Sequence, residues 1–509
     1  MNSRRDKRVP ARACLRLGRR ARLGRQTVHL VAVLIGSSLL LHFLGWILSR
    51  LPIEAFLLRD SNFCHALWLE RNLTAALADD AVFPGVQGVM FLAATEGASA
   101  ASDLHRDPPV YAAVRVRHRD IMPFVPNSSL GLLHLHPRTL QYLPGSARYA
   151  DTGGWRPADA YGLGAEDPRV LSCGVHVYVF FNQPELEADL SRARRRLQHA
   201  LHWKSGQVYM LLPDAPTDLD ERHMPLSEKN YAPVCVNGSD LYALTSVMPL
   251  RLLGPCRLRR DRPPVFADGR FRIHGMECPV QRSEFPPGEP VFRDAQLLRG
   301  GTQFVEVVRD KAYVALAHSK RYCGYDCHCH QPVVLVLLRP SEDDWRLVFY
   351  PSALRLYSST ELPMAATATR PGQSAASRAG RACLARRLGI PSHSLHLWHS
   401  MVQDPVSIVR IEADGDARIT LSIDDQQVVV ARLPGLRDYV QRVQACFEGD
   451  RRAVLYTTRD RVTVCRNGAR YTDNELAIRD LLQMSRDVAE RYHPRSTPRT
   501  IAVGTPLPD

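Results

Sequence analysis

Charged residues are absent from one long stretch near the start of the chain. Residues 28–48 contain no Asp, Glu, Lys or Arg over 21 positions, which is long enough for a helix to cross the hydrocarbon core of a membrane. Acidic residues are also scarce before this stretch, where ten basic residues accompany a single acid, Asp6. Because an excess of Lys and Arg stays on the cytoplasmic side, the pattern predicts a single-pass protein with a cytoplasmic N-terminus.

A cleavable signal peptide is the alternative interpretation of this segment. Its apolar region is shorter and ends in a small-residue cleavage site, whereas Ser49 and Arg50 follow the apolar run directly here. We therefore predict an uncleaved signal anchor, with the remainder of the chain in the lumen of the Golgi or another secretory-pathway membrane compartment.

Excess positive charge is not a property of the large C-terminal part. The first 25 residues hold ten positive charges and one negative charge of the net +14, which leaves about +5 for the remainder. This balance is ordinary for a domain of that size, so the basic isoelectric point does not indicate nucleic-acid binding.

Cysteines and glycosylation sequons agree with a lumenal location. Of the 12 cysteines, only Cys14 precedes the predicted anchor, and disulfides persist in an oxidising lumen. Eleven lumenal cysteines are an odd number, so at least one is free or pairs between chains. Three Asn-x-Ser/Thr triplets follow the anchor, with acceptors at Asn72, Asn127 and Asn237.

Long amphipathic helices are scarce between about Val86 and Val464, and this excludes an alternating αβ fold of the nucleotide-sugar type. Short apolar runs separated by Gly, Pro, Asn and Asp recur instead, which is typical of many antiparallel strands in a propeller or sandwich. No repeat is strict enough to define blades. The clearest helix before the C-terminal region is predicted at Pro184–His202. Further helices are predicted at Leu436–Phe447, from apolar spacing, and at 471–492, behind a capping box at Thr472.

These patterns predict a mainly β protein with a defined order of segments. The predicted segments are a basic tail (1–27), a transmembrane anchor (28–48), a stem (49–85), a β-rich domain (86–470), a low-complexity insertion within it (358–380), a C-terminal helix (471–492) and a disordered tail (493–509).

A Gly-rich loop before an apolar strand holds the most informative polar residues. Glu166, Asp167 and Arg169 lie within "YGLGAEDPRV", and the strand-like run "VHVYVFF" follows. A loop held by a rigid sheet is where catalytic groups tend to lie, and Pro168 restricts the backbone of Asp167. Arg169 can neutralise Glu166 and leave Asp167 as the acid–base group, or it can bind an anionic substrate. A surface turn with an ion pair is the simpler explanation of this motif.

The motifs "GAEDPRV…YVFFNQ", "SEKNYAPV", "LRGGTQFVEV", "YVALAHSKRY" and "HQPVVLVL" together resemble successive blades of a known superfamily. They are similar to the five-bladed β-propeller superfamily of inverting β-1,2-mannosyltransferases and mannoside phosphorylases, patchily from about Gly85 to Val430. The resemblance implies a five-bladed β-propeller-like lumenal domain behind the anchor, with short C-terminal helices. Its closure is in question around Met364–Ala385, where an Ala-rich stretch replaces a regular blade.

The resemblance also implies roles for individual residues. Asp167 matches the catalytic acid–base position, and Asp404 is a weaker carboxylate candidate. The other implied positions contact sugar, donor or phosphate, and they are Glu166, Arg169, Lys229, Asn230, Arg299, Gly300, Gly301, Thr302, His318, Lys320, Arg321 and His330.

An inverting hexosyltransferase is the activity that the resemblance and the anchor together favour. Forming a β-1,2-mannoside from GDP-mannose inverts the anomeric carbon, which needs one base to take the proton of a mannose-containing glycan acceptor. Lys and Arg can stabilise the departing GDP, so no metal or other cofactor is firmly predicted. The alternatives are a β-mannoside phosphorylase or hydrolase, and a non-catalytic glycan-binding propeller.

Two further motifs have simpler explanations than the functional ones. The Cys/His-rich segment Cys323–His330 contains zinc-ligand types, but its spacing fits no common finger, and a disulfide-pinned loop is the preferred interpretation. Asp218 and Asp220 spell the Asp-x-Asp motif of metal-dependent glycosyltransferases, but without an αβ domain around them a solvated turn is expected.

Overall fold

The structure, a computed structural model, describes residues 63–464 with internal gaps. The residues not described in this range are 65, 98–107, 119–127, 153–164, 186–194, 214–230, 248–249, 259–265, 268–271, 284–297, 323–327, 350–352, 360–374, 399–401, 449–453 and 459–460. The predicted anchor, the helix at 471–492 and the tail at 493–509 therefore lie outside the described residues. Among the described helices, none is long and apolar enough to cross a membrane.

Five mainly antiparallel sheets of four or more strands follow one another along the described chain, and their inner edge strands contact one another. The expected mainly β, five-bladed β-propeller is confirmed. We number the sheets as blades I to V. Blade I consists of β2 (Gly88–Glu96), β3 (Val110–Arg117), β4 (Ser128–Leu135) and β5 (Arg148–Tyr149).

Blades II and III are interleaved along the sequence. Blade II begins with β6 (Glu166–Cys173), β7 (His176–Glu185), β8 (Arg195–His202) and β9 (Val208–Pro213). Blade III consists of β10 (Ala232–Val236), β11 (Asp240–Ser246), β12 (Arg251–Leu253) and β16 (Val280–Ser283). The segment between β12 and β16 crosses back to blade II, where it adds β13 (Arg257–Leu258), β14 (Phe266–Ala267) and β15 (Arg272–Cys278).

Blades IV and V complete the ring. Blade IV consists of β17 (Leu298–Gly300), β18 (Val305–Val308), β19 (Ala312–Tyr322), β20 (His328–Leu338) and β21 (Arg346–Phe349). Blade V combines β1 (Ala66–Asn72) with β22 (Arg355–Ser358), β23 (His396–Leu397), β24 (Gln403–Ile411), β25 (Ala417–Ile423) and β26 (Gln427–Leu433). A separate hairpin follows, formed by β27 (Val454–Thr458) and β28 (Arg461–Val464).

Blade V closes the ring with strands from both ends of the described chain. β1 pairs in parallel with β22 and antiparallel with β26, so the N-terminal strand lies inside the last sheet. The predicted stem (49–85) therefore includes residues of the propeller itself. Closure, which the sequence left in question, is achieved by this exchange of strands.

The described residues outside the sheets include three α-helices, namely α1 (Thr74–Leu77), α2 (Ala375–Leu388) and α3 (Leu436–Phe447). The α3 helix confirms the prediction from apolar spacing, and its residues Leu436, Tyr439, Val440 and Val443 are buried against blades IV and V. The α2 helix begins inside the predicted low-complexity insertion, of which 360–374 lie outside the described residues.

The helix predicted at Pro184–His202 is wrong. Its described ends belong to β7 and β8, which pair with Asn182 opposite Gln198. The spacing of Leu197, Ala200 and Leu201 matches a helical face, but pairing with β7 on one side and β9 on the other overrides that local preference.

Three disulfides join parts of the ring among the described residues, as the cysteine content predicts. Cys173–Cys235 links the end of β6 to β10 in the next blade, and Cys256–Cys278 closes the segment that crosses to blade II. Cys64–Cys383 attaches α2 to the start of β1 across 319 residues of chain. Bridges that close long loops mainly restrict the unfolded chain, so the last one stabilises the closed ring.

The core consists of apolar side chains packed between blades. Val314, Leu316, Val334 and Val336 in blade IV pack against strands of blade V, and every one of them is fully buried. Strands buried on both faces explain why β19 and β20 are nearly continuous apolar runs rather than alternating ones.

Tyr439 on α3 provides a test of this packing at high pH. Its ring stacks on Phe63 with centroids 4.8 Å apart, and burial holds the pKa of the hydroxyl group well above its usual range. Above pH 10 the unfolded tyrosine loses its proton while the folded one keeps it, so stability falls as pH rises. We expect the free energy of unfolding to fall more steeply in the wild type than in Y439F, by up to about 1.4 kcal/mol per pH unit. Denaturant titrations between pH 9 and 11 measure this, and parallel curves for the two proteins would contradict it.

Candidate active site

One face of the propeller collects the polar residues at the starts of the inner strands. The innermost strands are β2, β6, β10, β17–β18 and β24, which form the inner edges of the five blades. Glu166 and Asp167 begin β6, Arg299 lies in β17, and Asp404 lies at the start of β24. Rigid strands therefore bring together groups that are far apart in the sequence.

Asp167 lies in a β-bulge with an unusual backbone conformation. Glu166 pairs with Asn182 and Arg169 pairs with Phe180, so Asp167 and Pro168 of β6 lie opposite the single residue Phe181 of β7. The φ angle of Asp167 is 50°, in the left-handed region that side-chain-bearing residues seldom occupy. Bulges and such conformations are concentrated near functional sites, where they redirect a side chain. The side chain of Asp167 is only 10% exposed, so it does not face bulk water.

Arg115 and Asn182 hold the two carboxylates in place. The guanidinium group of Arg115 on β3 is 2.8 Å from Oε1 of Glu166 and 3.7 Å from Oδ1 of Asp167. The side-chain amide of Asn182 donates to Oδ2 of Asp167 at 3.4 Å. Glu166 thus forms an ion pair with Arg115, a partner that the sequence did not suggest.

Arg169 is a buried cation between the two parts of the site. It is only 2% exposed, and its Nη1 donates to the carbonyl of Pro168 at 2.7 Å. Burial lowers the pKa of the guanidinium group, while the charges of Asp167 and Asp404 act in the opposite direction. Arg169 therefore links Asp167 electrostatically to Asp404 on the inner strand of blade V.

Two histidines and Asp404 form the second part of the site. Nδ1 of His330 is 2.7 Å from Oδ1 of Asp404, and Nδ1 of His318 is 3.7 Å from the same oxygen. The two imidazole rings stack with centroids 4.8 Å apart. Burial lowers the pKa of His318 to about 3, so its ring is neutral at physiological pH.

Asp404 remains a carboxylate despite its burial. Burial raises the pKa of its carboxyl group, but His318, the hydrogen bond from His330 and the charge of Arg169 more than offset this and hold the pKa below its usual range. The buried triad of His318, His330 and Asp404 thus places one negative charge beside two nitrogen ligands.

Asp425 joins the site from the turn between β25 and β26. Burial of its carboxyl group, with repulsion from the Asp404 and Asp167 charges, raises the pKa to about 6, although the residue as a whole is exposed on its turn. The turn is fixed beside β24, because Asp424 accepts a hydrogen bond from the backbone N–H of Val402 at 3.1 Å. Asp425 can therefore exchange a proton near neutral pH.

The structure places the other predicted site residues differently. Lys229 and Asn230 lie outside the described residues, as do the side chains of Lys320 and Arg321, whose backbones pair with His330 and Cys329 in β20. Arg299 pairs with His318 in the sheet, and its charge helps to lower the pKa of that imidazole. The buried Thr302 has a structural contact, because its Oγ1 accepts a hydrogen bond from the N–H of Leu316 at 2.9 Å.

Gly300 and Gly301 are buried in the wall of the site, and Gly301 explains the glycine pair. A Cβ atom at Gly301 would collide with the carbonyl oxygen of Leu316 and lie 2.9 Å from Cγ of Pro405, the neighbour of Asp404. The absence of a side chain at Gly301 therefore allows the backbone at the end of β17 to approach Leu316 and Pro405 closely.

Gly301→Ala is expected to lower the free energy of unfolding by about 1–3 kcal/mol, because the added methyl group overpacks a rigid contact. Gly88→Ala is the matched control, since a Cβ atom there has no heavy atom within 4 Å. The control is expected to change stability by less than about 0.5 kcal/mol. Chemical denaturation measures both variants, and equal effects would show that the Gly301 contact is not tight.

The remaining sequence motifs have mixed outcomes. Asn237 is exposed on the turn between β10 and β11, and Asn72 is exposed at the end of β1, whereas Asn127 lies outside the described residues. In the Cys/His-rich segment, Cys323 and Cys327 also lie outside the described residues. The described side chain of His330 turns toward Asp404 instead.

Sequence reasoning missed Arg115, Asn182 and Asp425. A charged residue within the apolar run "VYAAVRV" and a polar one at the end of "VYVFFN" were available signals for the first two. An Asp-Asp pair in a tight turn carries no comparable signal, because its proximity to Asp404 depends on the register of blade V.

A cavity of about 570 Å³ lies at the other ends of the inner strands. Its lining includes Glu96, Glu306 and Arg410, but Arg410 is already held by Glu96 at 2.7 Å and by Glu412 at 2.6 Å. We therefore place the site at the face where the carboxylates, arginines and histidines converge.

Comparison with known proteins gives only distant structural likenesses. No protein-family model and no curated protein matches the chain. A glycosyl hydrolase from Bacteroides ovatus is 12% identical with a TM-score of 0.37, covering 68% of this chain and 83% of that chain. A putative glycoside hydrolase from Parabacteroides distasonis is 12% identical with a TM-score of 0.38, covering 68% and 86%.

A third solved structure is described as showing that "the GH130 family of mannoside phosphorylases contains glycoside hydrolases that target beta-1,2 mannosidic linkages in Candida mannan". It is 13% identical with a TM-score of 0.37, covering 68% of this chain and 83% of that chain. These likenesses assign no residue roles here.

The prediction of an inverting hexosyltransferase is wrong. The proteins found by these comparisons are glycoside hydrolases and members of a phosphorylase family. The predicted GDP-mannose donor has no support from them either.

Proposed function

We propose that the chain cleaves a β-mannoside by a single inverting displacement, with Asp167 as the general acid and inorganic phosphate as the attacking group. The observation that carries this proposal is the placement of Asp167, a bulged carboxylate only 10% exposed and held by Arg115 and Asn182. Its motif, "GAEDPRV", is also one of the two specific parts of the resemblance to β-mannoside-processing propellers.

The proposed reaction exchanges one bond at the anomeric carbon. A phosphate oxygen attacks that carbon from the face opposite the glycosidic oxygen, and the bond to the leaving sugar breaks. Asp167 in its acid form gives its proton to the departing oxygen and becomes a carboxylate. The products are α-mannose 1-phosphate and a glycan shortened by one mannose.

Arginines favour phosphate as the attacking group. Arg169 and Arg115 flank Asp167, and Arg299 lies beside His318. A guanidinium group presents paired N–H donors in the geometry of phosphate oxygens. Cations around the attacking phosphate also reduce its repulsion from the carboxylates of the site.

Water is the second candidate for the attacking group, and Asp425 is the observation that favours it. Inverting hydrolysis needs a second carboxylate as a base for water. With its pKa raised to about 6, Asp425 can accept such a proton at neutral pH.

The test is to incubate the purified chain with β-1,2-linked mannobiose, with and without inorganic phosphate. Phosphorolysis gives mannose 1-phosphate only when phosphate is present, and its α configuration can be read by NMR. Hydrolysis gives free mannose in both conditions. Binding of mannobiose without cleavage in either condition would overturn the proposal in favour of a non-catalytic glycan-binding propeller.

The predicted topology stays a proposal: a propeller in the secretory lumen, anchored by residues 28–48. The three disulfides support it, because disulfides persist in oxidising compartments.

A further inference from the structure

His318, His330 and Asp404 together have the composition of a metal site. Each offers one ligand atom, and these atoms lie within 4.8 Å of one another. The three residues come from β19, β20 and β24, and all three side chains are less than one-fifth exposed. We propose that this triad binds one divalent transition-metal ion, with Zn²⁺ as the preferred ion.

The ligand types match this class of ion. Two imidazole nitrogens and one carboxylate oxygen are ligands that Zn²⁺ and its first-row neighbours share, whereas Mg²⁺ and Ca²⁺ prefer oxygen-only sites. Zn²⁺ binds such atoms at about 2.0–2.2 Å in a tetrahedral arrangement, so two ligand atoms on one ion lie roughly 3.4 Å apart. The three ligand atoms lie within 4.8 Å of one another, so binding requires them to move closer together by up to roughly 1.4 Å.

The backbone fixes the three positions before any ion binds. His318 and His330 lie on paired strands, opposite Pro332 and Lys320 respectively. An isolated bridge between His330 and Val402 then ties β20 to the start of β24, two residues before Asp404. The triad is therefore held on a rigid frame, which reduces the cost of ordering the ligands.

A metal ion that binds the triad must displace the proton shared between His330 and Asp404. The contact of 2.7 Å between Nδ1 of His330 and Asp404 places a proton where a metal would bind. Nδ1 of His318 is buried and has no hydrogen-bond partner within the described part of the chain. The hydrogen bond between His330 and Asp404 gives Nδ1 of His318 no partner, whereas a bound metal ion would give it one.

Charges around the triad act in both directions. Arg169 and Arg299 face it and oppose a cation, whereas Asp404 supplies a negative charge and Asp425 lies close to His330 and Asp404. Three protein ligands leave at least one position on Zn²⁺ for water or a sugar hydroxyl. The inference does not depend on the proposed reaction, because it concerns metal binding alone.

The experiment measures binding directly. The purified chain is stripped with a chelator, dialysed against Zn²⁺ and analysed for metal content, and in parallel it is titrated with Co²⁺ while the visible ligand-field absorption is recorded. We expect one ion per chain and a Co²⁺ spectrum typical of nitrogen and oxygen ligands. Changing even an indirect partner of a ligand typically costs 10–100-fold in affinity, so H330A and D404N are expected to bind on the order of 100-fold more weakly or worse.

A second histidine pair provides the matched control. His176 and His202 lie 3.1 Å apart at the surface, without a carboxylate in that contact. The double variant H176A/H202A is expected to keep the ion. Binding that is lost in H176A/H202A and retained in H330A and D404N would overturn the proposal, as would a wild-type chain that binds neither Zn²⁺ nor Co²⁺ at micromolar concentrations.

Two checks separate this inference from the proposed function and from misfolding. D167N is expected to keep its metal while losing cleavage, so the two proposals can fail independently. Because H330A or D404N can fail to fold, circular dichroism accompanies each variant. The Co²⁺ spectrum of the wild-type chain does not depend on whether the variants fold, and it shows directly whether imidazole nitrogens bind the ion.

Discussion

Asp167→Asn is expected to reduce the rate of β-mannoside cleavage by a factor on the order of 10²–10⁴, the usual contribution of a positioned general acid. Asparagine has nearly the same shape, tolerates the left-handed backbone and can still contact Arg115, but its amide cannot give a proton to the leaving oxygen. The measurement is kcat/KM with mannobiose, at saturating phosphate if phosphate is required.

The matched control is Asp310→Asn. Asp310 is also an aspartate at positive φ, 57°, but it lies in the turn between β18 and β19. This variant is expected to keep the wild-type rate. A D167N enzyme as active as the D310N enzyme would remove Asp167 from the reaction. A substrate with a leaving group that needs no protonation should restore part of the D167N rate, which separates loss of the acid from loss of binding.

Asp416→Ala is expected to lower the free energy of unfolding by about 2–3 kcal/mol, because it removes one buried carboxylate that accepts hydrogen bonds from two arginines and a backbone N–H. The Asp416 side chain is 1% exposed, and its oxygens lie 2.7 Å from Nε of Arg432 and 3.1 Å from Nη2 of Arg387. It also accepts a hydrogen bond from the N–H of Gly435 at 2.9 Å. This one carboxylate therefore joins α2, β26 and the start of α3.

Asp414→Ala is the control for this effect. Asp414 contacts the same Arg432, at 2.5 Å, but its side chain is 46% exposed. Exposed ion pairs contribute about 0–1 kcal/mol, so the expected loss is several-fold smaller. Denaturant unfolding of both variants measures the difference. Equal losses would mean that burial of Asp416 does not determine the energy of this network.

The general architecture could be predicted from the sequence, but its closure could not. Short apolar runs bounded by turn residues identified strands such as β3 and β25, and the resemblance to a known superfamily implied five blades. The exchange of β1 into blade V depends on pairing between residues more than 350 positions apart, such as Asn72 with Val429. No local pattern specifies that partner.

For the candidate site as well, the sequence indicated several residues but not their arrangement. Asp167 and Arg169 lie in a recognisable loop, and His318, His330 and Asp404 came from the resemblance. Their arrangement depends on strand register and could not be read from the sequence. Arg115, for example, reaches Glu166 from the neighbouring blade. Local spacing suggested a Glu166–Arg169 pair instead, because sequence neighbours are the only partners that a single sequence displays.

The position of β1 in blade V also determines when the protein can finish folding. During synthesis β1 emerges before the other strands that the structure describes, yet its antiparallel partner β26 begins at Gln427. At the usual 5–20 residues per second, roughly 20–70 s pass before that partner exists. Both edges of β1 stay unpaired until its parallel partner β22 (Arg355–Ser358) is made, and one edge stays unpaired until β26 follows. Unpaired strand edges are a template for wrong pairing. A chaperone that binds β1 on the nascent chain would therefore protect the strand during the period when it is most prone to aggregate.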